Sequence, residues 1–242
     1  MSFSMLDENG ELYRDEFGDT YLHAAIVFRN EAEALSIIES VAPEFLNVKN
    51  NSGQTPMHLA IVTNQSVIVG SLVTYGSRVT VTTQNENGET AFHLVARLGF
   101  VDCARALLRP FVGAKFNSKT FRDTSLPSEC KIRNYDGLTA LHSATIVGNM
   151  NMVKLLLAIS PYAVNVPDGK TGRTILHQAC VDGRIDLVRH LLKSKVCEIN
   201  AKTYSGYTCL DFAKDRGHEE IFTCLAAAGA RLSNDVRDGD ED

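Results

Sequence analysis

An all-α solenoid of six helix–turn–helix repeats with projecting hairpin fingers is the fold this sequence predicts, and three observations predict it. An octet beginning Gly-x-Thr recurs six times, opening at Gly18, Gly53, Gly88, Gly137, Gly172 and Gly206. The intervals are 35, 35, 49, 35 and 34 residues, so four of the five share one narrow register, which marks a repeat array. Behind each octet a short polar turn leads to an apolar segment with three- and four-residue steps, the spacing of a helix buried on one face.

Residues 1–14 are short and polar and read as a frayed, flexible N-terminus. The repeat domain then spans residues 15–232. Its octets read GDTYLHAA, GQTPMHLA, GETAFHLV, GLTALHSA, GRTILHQA and GYTCLDFA. The second helices are expected over Val67–Val73, Val101–Leu108, Met152–Leu157, Ile185–Leu192 and Glu220–Leu225. Polar stretches such as Asn47–Ser52, Gln84–Asn87, Ile132–Asp136 and Asn200–Ser205 form the finger tips. One helix pair cannot bury its apolar faces alone, so stability is shared between stacked neighbours. The first repeat carries a longer segment between its helices, Phe28–Glu33, and the last replaces histidine by Asp211. Both departures suit end caps with a polar outer face.

The repeated threonine and histidine read as structural. Thr20, Thr55, Thr90, Thr139 and Thr174 each stand where a hydroxyl caps a helix by bonding a backbone amide. His23, His58, His93, His142 and His177 follow three residues later, placed to bond the backbone of a neighbouring repeat. One histidine per repeat, strung along an array, makes neither a metal site nor a catalytic base. The 49-residue interval marks an insertion at about residues 110–129, which reads as a loop. A functional loop and a tolerated surface insertion are equally open. Residues 233–242 carry five acids against one arginine and are too polar to bury themselves, so a disordered acidic tail is expected.

Composition closes several function classes. No run approaches the roughly 18 apolar residues that a membrane-spanning helix requires, and residues 1–10 lack the basic and apolar regions of a secretory leader. Without a leader, the sequons at Asn50 and Asn64 are chance matches. None of the six cysteines sits in a CxxC pair or at zinc-site spacing, so buried free thiols in a reducing compartment are expected. Net charge of −5 argues against direct nucleic-acid binding and favours a basic partner. No P-loop, GxGxxG after a strand, GxSxG or HExxH occurs. An enzyme, a cofactor, a bound metal and a small-molecule substrate are therefore not expected.

The octets are similar to the Thr-Pro-Leu-His-x-Ala signature of ankyrin repeats. Residues around them resemble one branch of that family more closely. Asn50-Asn51-x-x-Gln54-Thr55-Pro56 through Thr63-Asn64-Gln65 resembles the second repeat of the inhibitor-of-NF-κB (IκB) family, which includes insect Cactus. Asn50-Asn51 and Thr63-Asn64-Gln65 are not demanded by ankyrin packing, so they carry the finer resemblance. Asp15-x-x-Gly18-Asp19-Thr20-x-Leu22-His23 resembles that family's first repeat, Asn134-Tyr135-x-Gly137 its fourth, and Thr203-Tyr204-x-Gly206-Tyr207 its sixth. The insertion also sits where that family lengthens.

That resemblance implies a protein that binds a Rel/NF-κB transcription factor dimer, masks its nuclear localisation segment, keeps it off DNA and holds it in the cytoplasm, with nuclear presence also open. It implies that Asp15, Glu16 and Asp19 meet the basic localisation segment. Asn134, Tyr135, Thr203, Tyr204 and Tyr207 would anchor the dimer, with Tyr207 alternatively in the core. Asp235, Asp238, Asp240, Glu241 and Asp242 would face the basic DNA-binding surface. A solvated face and a solubilising tail are the alternative reading of these acids. The family's signal-responsive members carry an Asp-Ser-Gly-x-x-Ser degron, absent here although Ser2 and Ser4 are present. This suggests an inhibitor that escapes signal-induced degradation, a short isoform, a truncated chain, or a decoy like the IκB mimics of parasites and viruses. A nuclear IκB-like transcriptional cofactor and a generic ankyrin adaptor are the competing classes.

Overall fold

The computed structural model describes residues 13–76, 79–112, 131–194 and 196–235. The expectations for the first twelve residues, most of the insertion and the tail beyond Asp235 lie outside the described residues.

Each octet starts a helix at its threonine. The six first helices are α1 (Tyr21–Val27), α3 (Pro56–Val62), α6 (Ala91–Leu98), α8 (Ala140–Val147), α10 (Ile175–Val181) and α12 (Cys209–Asp215). Their partners are α2 (Glu31–Ser40), α4 (Ser66–Tyr75), α7 (Val101–Val112), α9 (Met150–Ile159), α11 (Ile185–Leu192) and α13 (Glu219–Ala227). A short helix, α5 (Val79–Thr82), precedes the third finger, and 3-10 turns at Pro43–Asn47 and Pro161–Asn165 precede the second and fifth. Those turns went unanticipated: each opens on a proline and drops apolar residues inward, Leu46 in the first and Ala163 and Val164 in the second. Among the described residues there is no strand; the fingers are turns.

The cap at each first helix is a reciprocal box. The threonine backbone is extended, and its side chain meets the third residue of the helix. In five repeats that residue is the histidine. The threonine N–H donates to Nδ1 at 3.2 Å in His23, 3.0 Å in His58, 3.2 Å in His93, 3.4 Å in His142 and 3.1 Å in His177. An Nδ1 that accepts a backbone proton carries none itself, so the neutral ring holds its proton on Nε2. That proton is donated onward, from His23 to Gln54 O at 3.1 Å, from His142 to Arg173 O at 3.0 Å and from His177 to Ala201 O at 3.0 Å. The buried Nε2 of His58 meets no acceptor within hydrogen-bond geometry, with the Glu89 and Thr83 backbone nearby.

In the sixth repeat Asp211 replaces the ring. Its carboxylate accepts from the Thr208 N–H at 2.7 Å and also from the Ser233 N–H at 3.1 Å. The Thr208 hydroxyl lies 2.8 Å from Arg231 O. The final repeat therefore closes onto its own following segment, which is the physical content of an end cap.

The chain divides into two units, residues 1–124 and 125–242. In the first, α1, α3 and α6 stack in sequence while α2, α4 and α7 stack behind them. Leu22, Ile26, Ile38, Met57, Ile61, Ile68, Leu72 and Phe92 fill the space between the two layers. In the second, α8, α10 and α12 stack, with α11 against α13. Leu141, Met152, Leu176, Val188, Leu191 and Leu225 form its core. The expected lengthening of the first inter-helix turn is not there. The turn spans residues 28–30, as long as residues 63–65 in the second repeat, because Asn30 already caps α2 through its bond from the Glu33 N–H.

Buried thiols accompany this packing. Cys103, Cys180 and Cys209 are buried. Burial pushes the Cys103 thiol up to about 11 and Cys197 up to about 12. Contact with Cys209, then burial, raises Cys180. These groups stay protonated, and hence weakly nucleophilic, at neutral pH.

Burial also lowers the histidines: His58 and His177 to about 4, and His23 and His142 in the same direction. The unfolded chain, with ordinary values near 6.5, binds these protons first on acidification. Stability is thus full above about pH 6.5 and falls as pH drops toward the folded values. Between pH 7 and pH 5 the loss is about 2 kcal/mol for each of His58 and His177. Urea unfolding followed by circular dichroism at the two pH values should show a markedly lower midpoint at pH 5. Equal midpoints would contradict this account.

Candidate partner-binding surface

In each of the six fingers one polar side chain accepts from the finger's own backbone. Asp15 Oδ1 accepts from the N–H groups of Phe17 at 2.9 Å and Asp19 at 2.8 Å. Asn50 Oδ1 accepts from Ser52 and Gln54, Asn85 Oδ1 from Asn87 and Glu89, and Asn134 Oδ1 from Asp136 and Leu138. In the sixth finger Thr203 Oγ1 accepts from the Tyr207 N–H at 3.2 Å. These are Asx- and ST-turns, in which a short polar side chain imitates the backbone. The fifth finger is one residue longer, and Asp168 closes it by accepting from the N–H groups of Lys170, Thr171 and Arg173 and the Thr171 hydroxyl. Burial drives the Asp168 carboxyl upward, but the bonds from Thr171, Lys170 and Arg173 outweigh it and hold the group below its ordinary value.

Of the residues singled out for a partner, Asp15, Asn134 and Thr203 therefore have a side-chain oxygen engaged inside their own finger. Asp15 and Glu16 are exposed, and half-buried Asp19 accepts from Asn50 Nδ2 at 2.7 Å. Tyr135 stands free of the finger at 69% exposure and Tyr204 at 66%. Tyr204 is fixed, its N–H donating to Thr171 O and its hydroxyl to Asp168 O. Its backbone passes so close to Gly172 that a Cβ there would lie 2.6 Å from the Tyr204 nitrogen. Tyr207 is half-exposed and rests on Phe212, with ring centroids 5.9 Å apart, so it belongs to the surface rather than the core. Asp235 is exposed; Asp238, Asp240, Glu241 and Asp242 lie outside the described residues.

The reading of Asn50-Asn51 and Thr63-Asn64-Gln65 as unneeded by packing is corrected. The Asn51 N–H donates to Phe17 O and its Nδ2 to Glu16 O, so the second finger is latched to the first. Gln65 Nε2 donates to Ile26 O at 2.7 Å, and Asn64 Oδ1 accepts from the Cys103 thiol. These residues join consecutive repeats.

Sequence reasoning missed the exposed apolar residues where first helices end. Val27 and Phe28 are 46% and 82% exposed, and Val62, Ile146 and Val147 stand out at the same turn of their repeats. Phe17 projects from the first finger at 62%. For the helix-end residues the signal was present: they fall within the two positions before the left-handed residue that ends each helix. The same slots hold Asp182 and Arg216 in the last two repeats. In the third, Arg97 grips Glu89 with two bonds of 2.8 and 3.1 Å, and this contact raises the guanidinium's affinity for its proton. Among the described residues no group of three His, Cys, Asp or Glu stands close enough to hold a metal ion. The first unit thus exposes acids and apolar side chains on its first repeat, and the second unit exposes tyrosines on the fourth and sixth.

The family model described as ankyrin repeats (3 copies) matches residues 72–165, 114–203 and 148–236. The nuclear factor NF-kappa-B p105 subunit of Gallus gallus is 29% identical over 139 residues, 53% of this chain and 14% of that protein. The NF-kappa-B inhibitor cactus of Drosophila melanogaster is 31% identical over 169 residues, 59% of this chain and 33% of cactus. This chain thus spans at most a third of these relatives' length. Among solved structures, the ankyrin repeat domain of Bcl-3, described as a unique member of the IκB protein family, superposes with a TM-score of 0.75. It is 33% identical, and the match covers 89% of both chains.

The finger latch generates a stability prediction. Asn50→Ala removes the acceptor for two turn N–H groups and the bond to Asp19, and should cost about 1–3 kcal/mol. Asn50→Asp keeps the turn acceptor but sets a carboxylate against Asp19, so a loss that Asp19→Asn repairs is expected in urea unfolding. No repair would mean that the Asn50–Asp19 contact is immaterial.

Proposed function

Because the chain belongs to the ankyrin-repeat family, on its IκB branch, we propose that it binds Rel/NF-κB dimers, covers their basic nuclear localisation segment and blocks their access to DNA. It acts as a negative regulator that retains the factor in the cytoplasm, with no Asp-Ser-Gly-x-x-Ser degron in these 242 residues to govern its turnover. The observation that carries this reading is the 33% identity to the Bcl-3 ankyrin domain across 89% of both chains. Physical features of the surface support it. Asp15 and Glu16 are exposed beside half-buried Asp19 on the first finger, the charge pattern that a lysine- and arginine-rich segment complements through charge-assisted hydrogen bonds. Phe17, Val27 and Phe28 lie in the same repeat and offer the apolar contact that such a segment's hydrophobic residues require.

An electrophoretic shift assay with a Rel dimer and its DNA site tests the reading directly. The inhibitor abolishes the protein–DNA band. A supershifted band identifies a nuclear cofactor instead, and an unchanged band with no Rel binding at micromolar concentration leaves an adaptor for an unrelated partner.

Two variants refine it. Asp15→Asn with Glu16→Gln and Asp19→Asn removes three charges while keeping the turn-closing oxygen of residue 15. Affinity for a Rel localisation-segment peptide should fall at low salt and differ less from wild type at high salt; equal affinity at both would exclude the acidic finger. Phe28→Ala, at a side chain 82% exposed, should weaken Rel-dimer binding roughly tenfold or more, as hot-spot aromatics do, with an unchanged melting temperature. Unchanged affinity would remove Phe28 from the interface.

A further inference from the structure

The residue after the finger glycine is Asp19, Gln54, Glu89, Leu138, Arg173 and Tyr207 in the six repeats. Three of these are charged, and they are handled differently. Asp19 accepts from Asn50 and Glu89 from Arg97. The Arg173 guanidinium instead lies over the ring of Phe212, 5.0 Å from its centroid. Among the described residues it makes no ion pair. The neighbouring Asp168 carboxylate is committed to four donors of its own finger, one of them the Arg173 backbone N–H.

The site around this guanidinium is preorganised. The Arg173 carbonyl accepts from the Asp168 N–H at 2.7 Å and from His142 Nε2 at 3.0 Å, which fixes the backbone. Phe212 is held in turn by an edge contact from His177 and a tilted contact from half-exposed Tyr207, each with ring centroids 5.9 Å apart. A guanidinium held over a ring by cation–π attraction forms no hydrogen bond to it, so its N–H donors are not consumed by the contact. A planar guanidinium with unspent donors can grip a carboxylate with two parallel bonds.

We propose that Arg173, held over the Phe212 ring, is an anchor for a carboxylate side chain on an acidic segment of the protein partner. The sign is opposite to that of the first finger. The second unit therefore selects an acidic residue where the first finger selects a basic one. The identity of that partner rests on the Rel-dimer reading; the carboxylate chemistry does not.

The test follows the Arg173 Nε–H signal by NMR while the full chain is titrated with a Rel dimer, with hexaglutamate and with hexalysine. The signal should shift with the dimer and with hexaglutamate and stay still with hexalysine. Arg173→Met should raise the dissociation constant for the dimer at least tenfold without moving the melting temperature. Arg173→Lys, which keeps charge but loses the fork, should recover only part of that loss. Phe212→Leu, which keeps the arginine and removes the stack, should fall between Arg173→Met and wild type. If the signal responds to hexaglutamate while no Rel dimer binds, the partner assignment fails and the anchor stands. A signal unmoved by hexaglutamate, or an Arg173→Met chain that binds the dimer within twofold of wild type, overturns the anchor.

Discussion

The structure depends on a hydrogen-bonded relay through a neutral histidine. A threonine N–H is satisfied by Nδ1, and this fixes the ring's remaining proton on Nε2, where in His23, His142 and His177 it meets a carbonyl of the next finger. One side chain thereby caps a helix and ties two repeats. The relay requires a buried and uncharged ring, because a second proton on Nδ1 would expel the threonine N–H. Burial supplies that condition by lowering the histidine pKa values. Asp211 shows the complement: a carboxylate can cap a helix but has no proton to send onward, so the repeat that carries it is the one whose cap accepts from the following segment instead.

A frame built this way leaves specific atoms for recognition. The first helices face their neighbours, and their threonine–histidine boxes are closed, so the octet is packing. What differs from repeat to repeat lies at the finger tips, at the residue after the finger glycine and at the last turn of the first helix. Those three positions carry acids and apolar groups in the first repeat, and Arg173, Tyr204 and Tyr207, with Asp182 and Arg216 at the helix ends, in the last two. Two units with the same frame therefore present unlike chemistry, which is how a repeat fold acquires specificity without a change of architecture.

Most of the frame was legible because each part has a local signature. Gly-x-Thr with a histidine three residues on names the cap, and the three- and four-residue steps name the buried face. Legibility failed where a side chain serves a partner about a repeat away. Asn51 reads as a polar turn residue until the Phe17 and Glu16 carbonyls are beside it. Arg173 reads as a surface charge until Phe212, 39 positions later, comes beneath it. Phe28 was overlooked for the opposite reason: it falls in the turn between two helices, and nothing in the sequence separates its 82% exposure from the 1% of Phe92.

The turn that ends each first helix shows how sequence variation can preserve one physical tie. Four repeats place glycine in the left-handed conformation there, but the first two place Arg29 at φ 57° and Asn64 at φ 56°. A non-glycine residue in that region costs on the order of 1–2 kcal/mol. The cost is offset by what the side chains reach. Arg29 donates to Thr63 O in the second repeat, and Asn64 accepts from the Cys103 thiol in the third. In the second unit the tie runs backwards. Arg184 of the fifth repeat donates to Thr145 O and Ile146 O of the fourth. Its guanidinium fills the space beside Gly148, where a Cβ would lie 2.6 Å from one of its nitrogens. Glycine at residue 148 takes the left-handed conformation without strain and leaves room for that guanidinium, while at residue 29 it would break the tie it permits elsewhere. The same helix end can be secured by a strained residue reaching forward or by an unstrained glycine that admits an arginine reaching back.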